Sequence, residues 1–347
     1  MIVVLRHGCA QSSVMQVTER LQSLGYEVRP IIGVEKTVVA AVGGDEHQNV
    51  DIVEQFRSYP DVEDVILITR SYKYTALETH PERTRIDLGD GVVVGGTEIV
   101  LMAGPCTVES EEQTYCTAEL VAKAGAAVLR GGAYKPSTSP YSFQGLGLEG
   151  LRILRGAADR YGMKVVTEVM DPRKVEIVSE YADVLQVGTR NMQNYDLLKE
   201  VGLSRRAILL KRGMSAKYEE LLLAAEYIAT AGNERIMLCE RGIRTFETYT
   251  RNSLDIGAVP ALKSLSHLPV VIDPSQGTGR RDLVEPLSLA AVAAGADALI
   301  IEVHPNPDQA IKDGPQSLTF DGFNNMVPKI ARVAEAVGRP LALRIGQ

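Results

Sequence analysis

Residues 98–135 read EIVLMAGPCTVESEEQTYCTAELVAKAGAAVLRGGAYK. Ile99–Ala103 is a continuous apolar run of strand length, ended by Gly104-Pro105. Gln113–Ala124 carries helical spacing, and Ala127–Arg130 is a second short apolar run, ended by Gly131-Gly132. Strand, helix and strand in such quick succession imply parallel neighbours joined by a helical crossover. The alternation continues at Lys164–Thr167, Val184–Val187, Ala207–Leu210, Ile236–Cys239, Val270–Ile272 and Ala298–Glu302, with helical patterns such as Lys217–Thr230 and Leu287–Ala294 between them. Eight strands, each followed by a helix, favour closure into a (β/α)₈ TIM barrel of about 250 residues. An open, doubly wound α/β sheet is the alternative.

Upstream the pattern changes. Met1–Leu5, Glu27–Ile32, Lys36–Val42 and Val62–Thr69 read as strands, and Ser12–Leu24 and Asn49–Arg57 as helices. The order β-α-β-β-α-β is that of a small ferredoxin-like α+β domain. Arg70–Arg85 is a polar, Pro-containing connector, and the Gly- and Val-rich Ile86–Thr97 suits a hairpin. The expected division is therefore 1–70 as a front domain, 71–97 as linker and hairpin, and 98–347 as the barrel.

The 347 residues carry 37 Lys+Arg against 44 Asp+Glu, a net charge of −7, which argues against a general nucleic-acid-binding surface. No apolar run reaches membrane-spanning length, and Met1–Leu5 is too short for a signal-peptide core, so a cytoplasmic protein with no membrane partner is expected. Cys9, Cys106, Cys116 and Cys239 show neither CxxC pairing nor zinc-ribbon spacing. Without further context each reads as a small buried apolar residue.

Barrel enzymes place their chemistry at the C-terminal ends of the strands. Here those ends carry Arg130, Lys135, Arg190, Lys211, Arg241 and Arg244. Cations gathered on one rim repel one another unless anions answer them, and a phosphorylated carboxylate would do so. Taken singly, each Arg is as well explained by an ordinary salt bridge. Cys106 follows the first strand, while Glu302 ends the last and Asp313 lies in the loop beyond it. First and last strands are neighbours in a closed barrel, so this thiol and these carboxylates can meet in a set that suits a divalent metal.

The motifs Gly104-Pro105-Cys106-Thr107-Val108-Glu109, Leu129-Arg130-Gly131-Gly132-Ala133-Tyr134-Lys135-Pro136, Ser139-Pro140-Tyr141-Ser142-Phe143-Gln144-Gly145, Leu210-Lys211-Arg212-Gly213, Cys239-Glu240-Arg241-Gly242 and Glu302-Val303-His304-Pro305 resemble 3-deoxy-D-arabino-heptulosonate 7-phosphate (DAHP) synthases of the Iβ subgroup. The resemblance covers essentially the whole chain, including the ferredoxin-like regulatory domain. It implies condensation of phosphoenolpyruvate with erythrose 4-phosphate, the opening step of the shikimate pathway. It implies that Arg130, Lys135, Arg190, Lys211 and Arg241 hold phosphoenolpyruvate with Glu168 nearby, and that Cys106, Glu302 and Asp313 are metal ligands. Lys135, between the two substrates, is then the expected proton donor. A homotetramer and an aromatic amino acid effector are implied as well.

The chain departs from the family pattern twice. The family's fourth metal ligand, a His, is here Gln276, whose neutral amide oxygen favours Mn²⁺ over softer metals. His304, two residues after Glu302 on the same strand face, is present in the family too and is no evident replacement. The family's Lys-Pro-Arg-Thr is here Lys135-Pro136-Ser137-Thr138, so the acceptor phosphate is left to Ser137, Thr138 and Arg244. Two alternatives follow: a related phosphoenolpyruvate-dependent enzyme taking another aldehyde, or a catalytically weak regulatory relative.

Overall fold

The computed structural model describes residues 1–33, 36–43, 49–66, 71–137 and 139–342. Two compact units result, Met1–Arg83 and Thr84–Gln347. Among the described residues no helix is long and apolar enough to cross a membrane.

The first unit comprises β1 (Ile2–Leu5), α1 (Gln11–Ser23), β2 (Tyr26–Ile32), β3 (Thr37–Gly43), α2 (Asn49–Arg57) and β4 (Val62–Ile66). Its sheet runs β2-β3-β1-β4, with β1 antiparallel to both neighbours: Val3 faces Val39 on one side and Val65 on the other. Val14, Val17 and Leu21 of α1 and Phe56 of α2 bury one face of the sheet against Val3, Leu5, Val39 and Val65. Pro30 lacks a ladder donor and sits in β2, an edge strand where that costs least. The expected strand at Val62–Thr69 is seen to Ile66, and 67–70 lie outside the described residues.

In the second unit a short hairpin, β5 (Ile86–Asp87) and β6 (Val93–Val94), precedes eight barrel strands. These are β7 (Val100–Gly104), β8 (Val128–Arg130), β9 (Lys164–Val169), β10 (Val184–Val187), β11 (Ala207–Lys211), β12 (Ile236–Glu240), β13 (Val270–Ile272) and β14 (Ala298–Glu302). The crossover helices include α3 (Glu111–Lys123) and α4 (Leu148–Arg160). All neighbouring pairs are parallel, and β14 closes on β7.

Alternate residues from each strand point inward. Val100, Met102, Val128, Val166, Val184, Leu209, Met237, Val271 and Ile300 form one buried cluster. Ile86, Leu88, Val92 and Val94 of the hairpin join that cluster, plugging the end of the barrel where the strands begin. The sequence pattern fits this placement: strands covered on both faces need continuous apolar runs, and alternating ones would not do. The helices are capped as their sequences suggest, with the Ser110 hydroxyl accepting from Gln113 N at the start of α3 and Glu111 and Glu112 in its first turn.

Gly104, the last residue of β7, has φ 153°, and a Cβ there would stand 2.2 Å from the Arg130 carbonyl oxygen. No side chain fits, so β7 and β8 approach closely just below the loop that carries Cys106.

Candidate active site at the barrel mouth

The closing pair decides what meets at the rim. Residues β7 and β14 pair from Ala298↔Val100 to Glu302↔Gly104. Cys106 is two residues beyond that last rung, and Asp313 returns beneath it from a loop in which its own φ is 57°. The Cys106 Sγ and carboxylate oxygens of Glu302 and Asp313 lie within 4.8 Å of one another. The Cys106 thiol donates to Asp313 Oδ2 at 3.1 Å and receives Lys135 Nζ at 3.0 Å. Burial, with Glu302 and Asp313 adding to it and Lys135 opposing, pushes the thiol up to about 12. Burial disfavours the Asp313 carboxylate, yet the Cys106 thiol, Lys135 and Arg251 outweigh it and hold its pKa below the ordinary value. One sulfur and two hard oxygens suit a divalent transition metal, so the residues present fit the metal that the motifs imply.

The Gln276 side chain borders this group. Its Nε2 donates to Glu302 Oε1 at 3.4 Å, and its Oε1 accepts from Lys211 at 3.4 Å. The amide therefore presents nitrogen, its non-ligating end, to Glu302, and a half-turn would exchange the two atoms. The sequence placed His304 on the face of Glu302, but its Nε2 lies 3.3 Å from Glu109 Oε2 and its Nδ1 accepts from Asn306 N at 3.1 Å. Both ring nitrogens are occupied outside the thiol–carboxylate group.

Beside this group opens a cavity of about 350 Å³. Among the described residues its wall carries the cations Lys135, Arg190, Lys211, Arg241, Arg244, Arg251 and Lys312 but only two carboxylates, Glu168 and Asp313. Arg130 lines a smaller recess that shares Lys135, Glu168 and Gln276 with the cavity. The deepest charges are answered internally. Lys211 donates to Asp273 at 2.6 Å, with both side chains 1% exposed. Arg130 Nη1 donates to Glu302 Oε1 at 3.1 Å and to the Pro105 carbonyl at 3.1 Å. Its Nε, like that of Arg241, is buried with no hydrogen-bond partner among the described residues. Burial pushes the Glu168 carboxyl up despite Lys135 and Lys211 beside it. Burial likewise works against the Lys135 ammonium, but Cys106 and Glu168 turn the balance and raise its pKa.

The two residues expected at an acceptor phosphate fare differently. The Ser137 hydroxyl lines the cavity but donates to the Phe143 carbonyl at 2.7 Å. Thr138 lies outside the described residues. Arg190 and Arg244 are exposed at the rim.

Three residues escaped the sequence reading. Asp273 ends β13, caps the following helix by accepting from Gln276 N at 2.9 Å, and is the counter-ion of Lys211. An acid directly before Pro at a strand end was the available sign. Gln316, 2% exposed, donates to Glu302 Oε2 at 2.5 Å and accepts from Arg251 at 2.7 Å. Arg251 also lies 3.5 Å from Asp313, so one guanidinium touches one candidate ligand and reaches a second through an amide. Nothing in the sequence marks either residue, because each depends on where a long loop folds back.

Asp273→Asn would leave Lys211 charged and buried without a counter-ion. Removing one partner of such a pair costs about 3–5 kcal/mol. Urea unfolding of the variant is expected to show a loss of that size, and a loss under about 1 kcal/mol would mean that water reaches Lys211.

With this geometry in hand, comparisons with known proteins agree from end to end. Residues 79–338 match the DAHP synthetase I family, and residues 1–70 match the DAHP synthase ferredoxin-like domain. The phospho-2-dehydro-3-deoxyheptonate aldolase of Thermotoga maritima is 49% identical over 338 residues, covering 97% of this chain and 99% of that one. The 2-dehydro-3-deoxyphosphooctonate aldolase of Geobacter sulfurreducens is 32% identical over 268 residues, covering 72% of this chain and 97% of its own. The crystal structure of the T. maritima phospho-2-dehydro-3-deoxyheptonate aldolase (DAHP synthase) aligns with TM-score 0.78 and 48% identity, covering 98% of each chain. A truncated T. maritima 3-deoxy-D-arabino-heptulosonate 7-phosphate synthase aligns with TM-score 0.73 and 50% identity over 77% of this chain and 98% of that one. The ferredoxin-like unit, the closed barrel and both matches together make this chain a member of the DAHP synthetase I family.

Proposed function

We propose that the cation-lined cavity is where this DAHP synthase joins phosphoenolpyruvate to erythrose 4-phosphate, with Arg130, Lys135, Arg190, Lys211 and Arg241 on the donor. The observation that carries the reading is the charge imbalance of the wall, seven cations to two carboxylates. Phosphoenolpyruvate brings a phosphate and a carboxylate on adjacent carbons, which suits clustered Arg forks and Lys point charges. The enol carbon attacks the aldehyde carbon, and the new C–C bond leaves an alkoxide. Lys135, held against Cys106 and next to Glu168, gives that oxygen a proton. Water then adds at the neighbouring carbon and phosphate departs. Glu168, whose buried carboxyl is pushed up, takes the proton of that water. A divalent cation held by Cys106, Glu302 and Asp313 supplies Lewis acidity at the aldehyde when bound.

The direct test is phosphate release from phosphoenolpyruvate with a series of aldehydes. Release dependent on erythrose 4-phosphate is expected. Release with a different aldehyde alone would favour a related condensing enzyme, and no release with any would leave a binding or regulatory role.

Gln276 offers at best one neutral amide oxygen, so the cation is Mn²⁺ in preference to Zn²⁺. Gln276→His is expected to retain more metal after dialysis, measured by elemental analysis. Equal retention by the two proteins would rule out a role for this position in metal affinity.

The front unit is regulatory in this reading, its effector an aromatic amino acid and its assembly a homotetramer. It has its own core within Met1–Arg83, and a truncated relative exists as a solved structure. The four free cysteines fit a reducing cytoplasm. Deleting residues 1–70 is expected to preserve condensation and abolish inhibition by tyrosine or phenylalanine. Inhibition that survives the deletion, or is absent from the intact chain, would remove this role.

A further inference from the structure

The cations around the cavity differ in what they already hold. Lys211 is paired with Asp273, Lys135 with Cys106, and Arg251 with Asp313 and Gln316. Arg241 donates to the Gly242 carbonyl at 3.3 Å, and Arg190 has a partner of its own. The side chains of Lys312 and Arg244 make no hydrogen bond or ion pair among the described residues.

Lys312 stands on a fixed base. Just before it, Ile311 N donates to Glu109 Oε1 at 2.9 Å, and Glu109 is held in turn by His304. Just after it, Asp313 turns back through φ 57°, and the Gly314 carbonyl accepts from Arg281 at 3.0 Å. Gly314 is packed so tightly that a Cβ would stand 2.1 Å from the Pro307 carbonyl oxygen. A loop tied on both sides therefore holds an unanswered ammonium on the cavity wall, one residue from Asp313. Arg244 is also tied through its backbone N–H, which donates to the Met214 carbonyl at 2.7 Å.

The acceptor must bring its aldehyde to the Cys106–Asp313–Lys135 corner, so its phosphate, at the other end of a four-carbon chain, lies toward the mouth. Ser137 has no proton left for it, because its hydroxyl serves Phe143. We propose that Lys312, together with Arg244, binds the phosphate of the acceptor aldehyde and so makes the enzyme prefer a phosphorylated aldose over an unphosphorylated one. This rests on the acceptor reading above and adds the residues that enforce it.

The test is steady-state kinetics of the full chain with erythrose 4-phosphate and with erythrose, at saturating phosphoenolpyruvate. Lys312→Met keeps length and removes charge, and Lys312→Arg restores a cation. Lys312→Met and Arg244→Met are each expected to raise the KM for erythrose 4-phosphate roughly tenfold or more, as the loss of a charge-assisted contact does. The ratio of kcat/KM for the two aldehydes should fall by a similar factor, and Lys312→Arg should recover most of it. An unchanged ratio in both Met variants overturns the inference, as does an equal loss with both aldehydes. A wild-type enzyme that condenses another aldehyde but not erythrose 4-phosphate overturns the acceptor reading itself, and this inference with it. That outcome is distinguishable, because it appears before any variant is made.

Discussion

The site exists because the eighth barrel strand lies beside the first. Cys106 and Asp313 are 207 residues apart in sequence, yet their side chains are in contact. The β14–β7 ladder, with Glu302 opposite Gly104, sets the segments that carry them side by side. A one-residue slip there would turn Glu302 into the helical layer and leave Cys106 without either carboxylate. The glycine on that rung and the apolar plug below it therefore serve the chemistry as much as the stability.

Concentrated positive charge at the mouth would be unfavourable without an inner set of acids. Lys211 rests on Asp273, and Arg130 on Glu302. Behind the rim, Arg212 donates to Glu240 at 2.9 Å and to Asp255 at 3.0 Å, while Tyr218 donates to Asp255 at 2.6 Å. This second network ties the ends of β11 and β12 to the loop that carries Arg241, Arg244 and Arg251. Such pairs contribute little net stability, since desolvation offsets most of their attraction. What they provide is placement of charges that face a ligand.

Sequence alone carried much of this. All eight barrel strands were legible because a strand covered on both faces must be uniformly apolar, and glycines punctuate the ends where chemistry sits. The rim cations and the Cys106–Glu302–Asp313 group followed from the single idea of closure. The ferredoxin-like order of elements was legible too, but the central place of β1 in its sheet was not, since pairing partners leave no local mark. Within the site, Gln316 and Arg251 were invisible because a neutral amide and one arginine among many acquire roles only through the reversal at Asp313. Ser137 misled for a related reason: a hydroxyl reads as a free donor until the loop shows that a backbone carbonyl has claimed it.

The hairpin plug has one more consequence. With Ile86, Leu88, Val92 and Val94 filling the barrel's lower end, packed side chains make a floor there, and the cavity and the recess around Arg130 lie at the opposite rim, so a segment that precedes the first barrel strand shuts the side away from the chemistry.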